Sequence, residues 1–264
     1  MTFSIITVCF NAGEELKKTV DSVLTQSYPD VELIVQDGGS TDGSLQSLPA
    51  DPRIRVVSKK DNGIYDAMNR ALQRAQGRYL LFLNCGDYLY DKDVLLKTAR
   101  EAALHPADIL YGDLYRRIQN STDVAPDRIT DFVCYRNVPC HQVCFYHKRL
   151  FAERGYDWGR YPVRADYEHF LYSYYVKKAT TYHLPLTVSS YAGAGYSETK
   201  EHMAAAKEEH RKITAHYQKH KAFLYRLLMI LTLQPLRYRL AQSRHLSGFY
   251  HKCKGYFYGN GGKR

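Results

Sequence analysis

The stretch FLNCGD, Phe82 to Asp87, is where chemistry is first to be looked for: an apolar run that begins at Tyr79 stops abruptly in Asn-Cys-Gly-Asp. Asn, Gly and Asp are the usual turn formers, so the stretch is either an ordinary turn or a carboxylate held at a strand end. The arrangement recurs. Thr7 and Asn11 stand at the end of the apolar run SIITVCF, and Asp37 directly follows ELIVQ. Neither common phosphate cradle is present, neither GxGxxG after the first run nor GxxxxGK[ST] anywhere. A nicotinamide dehydrogenase and a P-loop ATPase are therefore poor readings. An anionic ligand would instead be held through a divalent metal on Asp87, because Mg²⁺-type ions take hard oxygen ligands and few of them from protein.

These residues need elements to position them. Strands are predicted at Ser4 to Phe10, Glu32 to Gln36, Ile54 to Ser58, Tyr79 to Leu83 and Asp108 to Tyr115, from short β-branched or apolar runs. Leu16, Val20, Val23 and Leu24 recur at helical spacing, as do Ile64, Met68, Ala71, Leu72 and Ala75, and a further helix is expected from Lys92 to Leu104. Asn62 or Asp61 is the expected N-cap of the second helix, and Gly77 lies past its end. Strands alternating with helices imply βαβ units, hence an α/β fold with a mostly parallel sheet and helices on both faces. Ligands then bind outside the carboxyl ends of the strands, where Thr7, Asn11, Asp37 and Asp87 gather.

With those motifs in place the chain resembles a known family. SIITVCFN, VQDGGSTDGS, DNGIYDAMNRAL and GRYLLFLNCGD, in this order, look like the inverting bacterial glycosyltransferases of family 2, which have the GT-A fold of nucleotide-diphospho-sugar transferases. The likeness is greatest to the subgroup that builds exopolysaccharides such as colanic acid, whose CHQVCFYH, RADYEHFLY and GAGYS patterns follow downstream. It covers residues 3 to about 115 strongly and 139 to about 200 more loosely. The resemblance implies a nucleotide-sugar-binding half, 1–115, and an acceptor and catalytic-base half, 116–198, with 199–264 as a helical basic appendage.

It also implies roles. Thr7, Asn11, Asp37, Asp61 and Asn69 match positions around the nucleotide, although Asp37 would equally cap the next turn and Asn69 would equally sit on a helix surface. Asp87 matches the last carboxylate of a DxD-like motif that holds Mn²⁺ or Mg²⁺ against the donor diphosphate. Asn84 and Gly86 stand where many relatives carry acids, so one strong anionic ligand remains; Gly86 supplies the backbone freedom to aim it. Asp166 matches the base that takes the acceptor's proton in a single inverting displacement, with N-capping of the following helix as its structural alternative and Glu168 in reserve. His141 and Gln142 are candidate contacts to the donor or acceptor, and a lone histidine is also commonly structural. Asp113 matches a recurrent Gly-Asp without an assigned step. Trp158 and the tyrosines from Tyr156 to Tyr175 form either a stacking wall or core.

Charge is unevenly placed. The net +10 arises in the last stretch: from His210 to Arg264 there are 12 Lys and Arg and no acid, so residues 1–209 carry a net of −2. Residues 199 to 233 read as one long helix or two, ending in AFLYRLLMILTL, which is shorter than the roughly 20 apolar residues of a membrane span. Apolar surface followed by basic and aromatic residues suits an interfacial segment on an anionic leaflet; packing on the catalytic domain is the alternative. No nucleic acid is expected, since no DNA- or RNA-binding signature is present. The six cysteines form no CxxC or zinc spacing, and MTFSIITVCF lacks a basic n-region and cleavage site, which points to a reducing cytosol.

The sequence therefore predicts a metal-dependent, non-processive sugar transferase at the cytoplasmic face of the membrane, acting in surface polysaccharide assembly. Its donor is a nucleoside-diphosphate sugar, with UDP the expected nucleotide, and its acceptor a saccharide or lipid-linked saccharide. A nucleotidyltransferase would want a Gly- and Lys/Arg-rich loop where ITVCFNAGEE stands. A non-catalytic sugar-nucleotide-binding or scaffold protein is argued for only by the missing acids at 84 and 86.

Overall fold

A computed structural model describes residues 2–193 and 199–231. The elements run β1 (Phe3–Cys9), α1 (Glu14–Leu24), β2 (Val31–Asp37), β3 (Ile54–Ser58), α2 (Ile64–Leu72), β4 (Tyr79–Phe82), β5 (Tyr88–Leu89) and α3 (Val94–Leu104). There follow β6 (Ile109–Arg116), β7 (Ser121–Asp123), α4 (Asp131–Arg136), β8 (Cys144–His147), α5 (Ala165–Tyr175), β9 (Thr181–Tyr191), α6 (Lys200–Tyr217) and α7 (Ala222–Leu231). Two compact units emerge, residues 1–213 and 214–264.

In the first unit the strands join one sheet in the order β3-β2-β1-β4-β8-β6-β9-β5, with β7 beside β6. β1 lies between β2 and β4, in parallel with both, and β3 extends the parallel set. Because β1, β2 and β4 are covered on both faces, they read as largely apolar runs: Phe3, Ile5, Leu33, Ile34 and Leu80 to Leu83 are fully buried, whereas the edge strand β3 is partly exposed. The expectation of a mostly parallel sheet holds for this half. Past β4, β8 pairs antiparallel with both β4 and β6, and β5 pairs antiparallel with β9; only β6 and β9 run parallel there. β5, β7 and β8 are short, and CFYH between polar flanks gives little period to read.

Buried polar groups fix the parallel half. Glu32 accepts from Ser4 Oγ at 2.5 Å and from the N–H of Gln76 at 2.6 Å and of Gly77 at 3.1 Å. Gly77 crosses so close to β1 that a Cβ there would lie 2.5 Å from Ser4 N. Its conservation of space, not helix termination, explains the glycine, since α2 has already ended at Leu72. At the start of α2 the expected cap is also replaced. Gly63 occupies the cap position without a side-chain bond, and Asp66 reaches back to accept from the N–H and Nδ2 of Asn62, at 2.9 and 3.0 Å. No side chain caps the first-turn N–H groups as expected of Asp61 or Asn62; the Asp66 contact instead ties the residue before the cap to the helix.

The long basic helix is two helices. Within the first unit, Glu209 of α6 is buried and accepts from the N–H groups of Val163 and Arg164, at 3.1 and 2.8 Å. In the second, α7 exposes Phe223 and Ile230. No helix among the described residues is long and apolar enough to cross a membrane. The RYR, SRH and FYHKCKGYFY segments, and most of GAGYS, lie outside the described residues.

Candidate active site

A cavity of about 680 Å³ opens where β1 and β4 end. Its walls come from the first turns of α1, α2 and α5, from the segment 137–142, and from the end of β9. Of the residues picked from sequence, Asn84, Gly86, Asp87, His141, Gln142 and Asp166 all line it.

The turn after β4 aims Asp87 inward. Gly86 has φ 92, a left-handed conformation that favours glycine, and its N–H donates to Thr19 Oγ1 at 2.9 Å. Asp87 is only 3 % exposed. Its Oδ1 accepts from the Ala192 N–H at 3.0 Å and its Oδ2 from Gln142 Nε2 at 3.3 Å. Burial raises the Asp87 carboxyl above its ordinary value, against the lowering effect of those two bonds. So FLNCGD is a turn whose purpose is to hold a carboxylate in a place that carboxylates disfavour.

The donor set fits a divalent cation. Gln142 gives its amide N–H to Asp87, which leaves Gln142 Oε1 buried without a partner, and Asn84 Oδ1 is likewise buried and unpartnered. One carboxylate and two amide side chains on the same cavity wall are hard-donor chemistry of the Mg²⁺ or Mn²⁺ kind. Among the described residues no group of three His, Cys, Asp or Glu side chains forms a complete protein cage.

Across the cavity Asp166 sits in the first turn of α5, where the helix N-terminus favours a carboxylate. It is not the N-cap: Arg164 holds that position, and Glu209 satisfies the N–H groups there from outside the helix. Asp166 Oδ1 accepts from Tyr65 Oη at 2.7 Å, and Oδ2 accepts from His141 Nδ1 at 2.8 Å. Burial alone would push this carboxyl up; the His141 bond and charge, with Arg164 and Tyr65, outweigh it and hold it at about 2. The far ring nitrogen, His141 Nε2, lies 3.1 Å from Asn84 Nδ2. A continuous chain of polar contacts thus joins Asp166 to the turn that carries Asp87.

Other picks are placed elsewhere. Thr7 is buried and donates to Leu83 O at 2.9 Å, tying β1 to the end of β4. Asp37 is buried and accepts from Gly39 N, Ser40 N and Ser58 Oγ at 3.0, 2.9 and 2.6 Å, the turn-capping arrangement. Burial would raise it, and the Ser40 and Ser58 bonds hold it below its ordinary value. Asn11, at φ 47, takes the Thr41 N–H on Oδ1 and gives its own to Ser40 Oγ. Asp61 accepts from the Gly63 N–H at 2.9 Å. These four shape the loops behind the cavity rather than its wall. Asn69 is occupied on both amide atoms by the backbone of Tyr156, at 2.8 and 2.9 Å, and does not line the cavity. Glu168 is buried against Arg154, whose Nη2 donates to both carboxylate oxygens at 2.8 and 2.9 Å, and it does not line the cavity. Asp113 accepts from the Ala125 N–H at 2.9 Å and lies 3.3 Å from His183. Of Trp158 and the tyrosines between 156 and 175, only Tyr167 reaches the cavity; Tyr156 packs against Phe82 and Phe151.

Sequence reasoning missed Phe10, Glu15, Tyr65, Arg116, Arg164 and Tyr191, all on the cavity wall. Phe10 is 64 % exposed there. Its position directly after an apolar strand, ahead of Asn-Ala-Gly, was a usable signal; nothing local marks the others.

The fold is an α/β type with its cavity at the strand ends, and comparison places it in a family. The chain belongs to Glycosyl transferase family 2, whose sequence model matches residues 4–171. It is 34% identical over 195 residues to the PGL/p-HBAD biosynthesis glycosyltransferase of Mycobacterium bovis BCG, covering 72% of this chain and 76% of that one. Over 99 residues it is 46% identical to a Bacillus subtilis glycosyltransferase named for teichuronic acid biosynthesis, covering 36% and 39%. In fold it is similar to S. aureus TarS 1–349, with TM-score 0.65 at 18% identity, 83% of this chain and 66% of that one. It is also similar to a Pyrobaculum calidifontis mannosyltransferase solved with GDP-Man and Mn²⁺, with TM-score 0.62 at 15% identity, 94% and 83%. The protein is a glycosyltransferase with the GT-A fold.

Proposed function

We propose that this glycosyltransferase moves a sugar, with inversion and without processivity, from a nucleoside-diphosphate sugar to an acceptor hydroxyl. The observation that carries the reading is one cavity holding two carboxylates of opposite character. Burial raises the Asp87 carboxyl, with the unpartnered amide oxygens of Asn84 and Gln142 on the same wall, and Asp166 is held ionised in the same cavity. The first suits a cation and the second suits a proton. Both being built into the wall argues against a scaffold that has lost activity.

Asp87 would hold the Mn²⁺ or Mg²⁺, with Asn84 and Gln142 oxygens beside it; when bound, the cation offsets charge on the departing diphosphate. Asp166 accepts the acceptor's proton. A carboxylate at about 2 is a weak base, so it takes the proton late, once bond formation has acidified the hydroxyl. Tyr65 and His141 hold the carboxylate still meanwhile. The nucleotide is assigned to the ends of β1 and β2, where Asp37, Asn11 and Asp61 shape the loops, Thr7 braces them and Phe10 offers an aromatic face.

UDP is the nucleotide we favour: TarS has been solved with UDP and with UDP-GlcNAc. GDP is the competitor, from the GDP-Man complex of the mannosyltransferase. The names of the relatives support glycolipid or polysaccharide assembly, and exopolysaccharide synthesis of the colanic-acid kind is our narrower assignment. The acceptor is then a lipid-linked or growing saccharide at the cytoplasmic membrane face. The exposed apolar side chains of α7 and the acid-free basic segment after it suit an anionic surface. Deleting the residues after Gln234 should shift the protein from membrane to soluble fractions; unchanged partitioning would remove the anchor.

The deciding experiment is titration calorimetry of UDP, GDP and dTDP, each with and without Mn²⁺. Binding of one diphosphate only with metal supports the reading. A folded sample that binds none of them refutes it.

A further inference from the structure

Glu209 stands far from the motifs that point to the site. It belongs to α6, beyond the family match at residues 4–171 and inside the stretch that reads from sequence as an appendage. The fold uses it otherwise, because the first compact unit runs on to Ile213. Glu209 is 7 % exposed, and its Oε2 accepts from the N–H groups of both Val163 and Arg164, at 3.1 and 2.8 Å. Arg164 is the N-cap residue of α5 and has no capping bond from its own side chain. In a capping box the N-cap N–H is taken by an acid three residues into the helix. Tyr167 stands at that place and has no carboxylate to offer, so an acid from another helix does it instead.

Asp166 follows two residues later, in the first turn of α5. Its carboxylate oxygens are held by Tyr65 and His141, and the backbone that carries it is held from behind by Glu209. Neighbouring side chains extend the grip. Arg164 Nη2 donates to Asn137 Oδ1 at 2.6 Å, where the 137–142 segment of the cavity wall begins. His210, next to Glu209, stacks on the wall residue Tyr167 at 4.9 Å, and its Nε2 lies 2.9 Å from the carbonyl oxygen of Tyr135 in α4. So α6 fastens α4, the start of α5 and the adjoining wall to one another. From this arrangement we infer that Glu209 is a positioning residue: it fixes the first turn of α5, and with it the place of the Asp166 carboxylate. The inference rests on the transferase reading and deepens it, since α6 then belongs to the machinery that presents the base to the acceptor.

Reach and charge separate in two variants. E209Q keeps the reach: a single oxygen takes both N–H groups, and the amide carbonyl can replace it. E209D keeps the charge but withdraws the carboxylate by about 1.5 Å, one carbon–carbon bond. E209D should lose about a hundredfold in kcat, the usual cost of a group displaced by an ångström, and E209Q less than about tenfold. Turnover is read as nucleoside diphosphate released from a panel of UDP- and GDP-sugars with Mn²⁺ and water as the acceptor. Calorimetric UDP–Mn²⁺ affinity should stay within about twofold of wild type in both, because Glu209 does not line the cavity. In a D166N background E209D should cost nothing further, since a residue that acts through Asp166 has no effect once the base is gone. A last readout needs no substrate. Amide hydrogen exchange of Val163 and Arg164, followed by NMR on the full chain, should be at least about tenfold faster in E209D and near wild type in E209Q.

A wild-type protein that releases no nucleoside diphosphate from any of these donors refutes the transferase reading beneath the inference. Where wild type turns over, E209D at wild-type kcat, or E209Q as damaged as E209D, refutes the inference alone. So does unchanged exchange at Val163 and Arg164 in E209D. An E209D that loses UDP–Mn²⁺ affinity in step with kcat, or that slows D166N by the same factor as wild type, marks a residue that only stabilises the fold and refutes it too.

Discussion

Replacing Asp87 with Asn should make the empty protein more stable while abolishing its response to metal. The reasoning starts from burial. Asp87 is 3 % exposed, and its carboxyl is raised by desolvation, so the ionised form is unfavourable where the fold holds it. The linkage sign follows. A carboxyl raised on folding holds its proton more tightly in the native state, so its contribution to stability falls as pH rises from the ordinary 3.8 through the raised native value. At neutral pH the empty protein carries that cost in full. Asparagine keeps the shape and keeps an oxygen for the Ala192 N–H. Its amino group can donate to Gln142 Oε1, unpartnered at present, if that carboxamide turns over. A gain of about 1 kcal/mol, common when a functionally imposed strain is removed, corresponds to about 2–4 °C in Tm for a chain of this size.

The loaded protein should behave in the opposite way. A ligand at a hundred times its Kd stabilises by about 2.7 kcal/mol, or about 5–10 °C on the same scale. Wild type with UDP and Mn²⁺ should show that shift and D87N should not. Differential scanning calorimetry of both proteins, empty and loaded, reads all four states. An empty D87N that melts below wild type would mean that Asp87 is held for its bonds to Ala192 and Gln142. A D87N that keeps the metal-dependent shift would remove it as the ligand.

Other consequences are as specific. D166N should lower transfer by about 10²–10⁴-fold, the usual range for a general base, while leaving UDP–Mn²⁺ affinity intact by calorimetry; retained turnover would remove Asp166 from the role. F10A should weaken UDP binding by about tenfold, since stacking a base on an aromatic ring is worth about 1–3 kcal/mol; unchanged affinity would put the base elsewhere. His169 is fully buried, stacked on Phe151 at 4.0 Å, and has neither ring nitrogen partnered. Burial depresses it to about 3, so its contribution is complete above the ordinary 6.5 and lost as pH falls below that value. H169F should therefore melt above wild type, with the advantage growing by about 2 kcal/mol between pH 7 and pH 5; a lower Tm for H169F at both pH values would refute this.

The parallel half of the fold was readable because doubly covered strands are predominantly apolar, as SIITVCF, ELIVQ and YLLFL are, with their few polar members such as Ser4 and Glu32 bonded to one another. The antiparallel half was not. Strand β8 is four residues long and β5 two, and their pairing is decided by neighbours far away in sequence. Cap chemistry failed for a similar reason. Asp61 and Asn62 look like caps in any local window, but the bond to the Asn62 N–H comes from Asp66, and the N–H groups at the start of α5 are satisfied by Glu209, more than forty residues later.

The same physics explains which acids the sequence could not sort. Asp37, Asp61, Asp166 and Glu168 stand beside a turn or helix start and Asp113 within β6, and motif position alone singled out all five. What separates them is how much of each carboxylate the fold consumes. Asp37 and Asp61 are spent on nearby N–H and O–H groups within three residues or one strand away. Asp113 is spent on the Ala125 N–H, and both oxygens of Glu168 accept from Arg154 Nη2. Asp87 and Asp166 also accept bonds, but from groups that adjoin unpartnered oxygens or a titratable ring on the wall of one cavity. A carboxylate whose partners cancel it is architecture. One whose partners leave it short of charge compensation, as at Asp87, stores a demand that only a ligand can meet, and a single protein carboxylate meets that demand weakly until a diphosphate brings the remaining oxygens. The absent acids at 84 and 86 therefore point to metal and nucleotide binding together: Mn²⁺ alone should bind weakly, and its affinity should rise sharply once the nucleoside diphosphate is present.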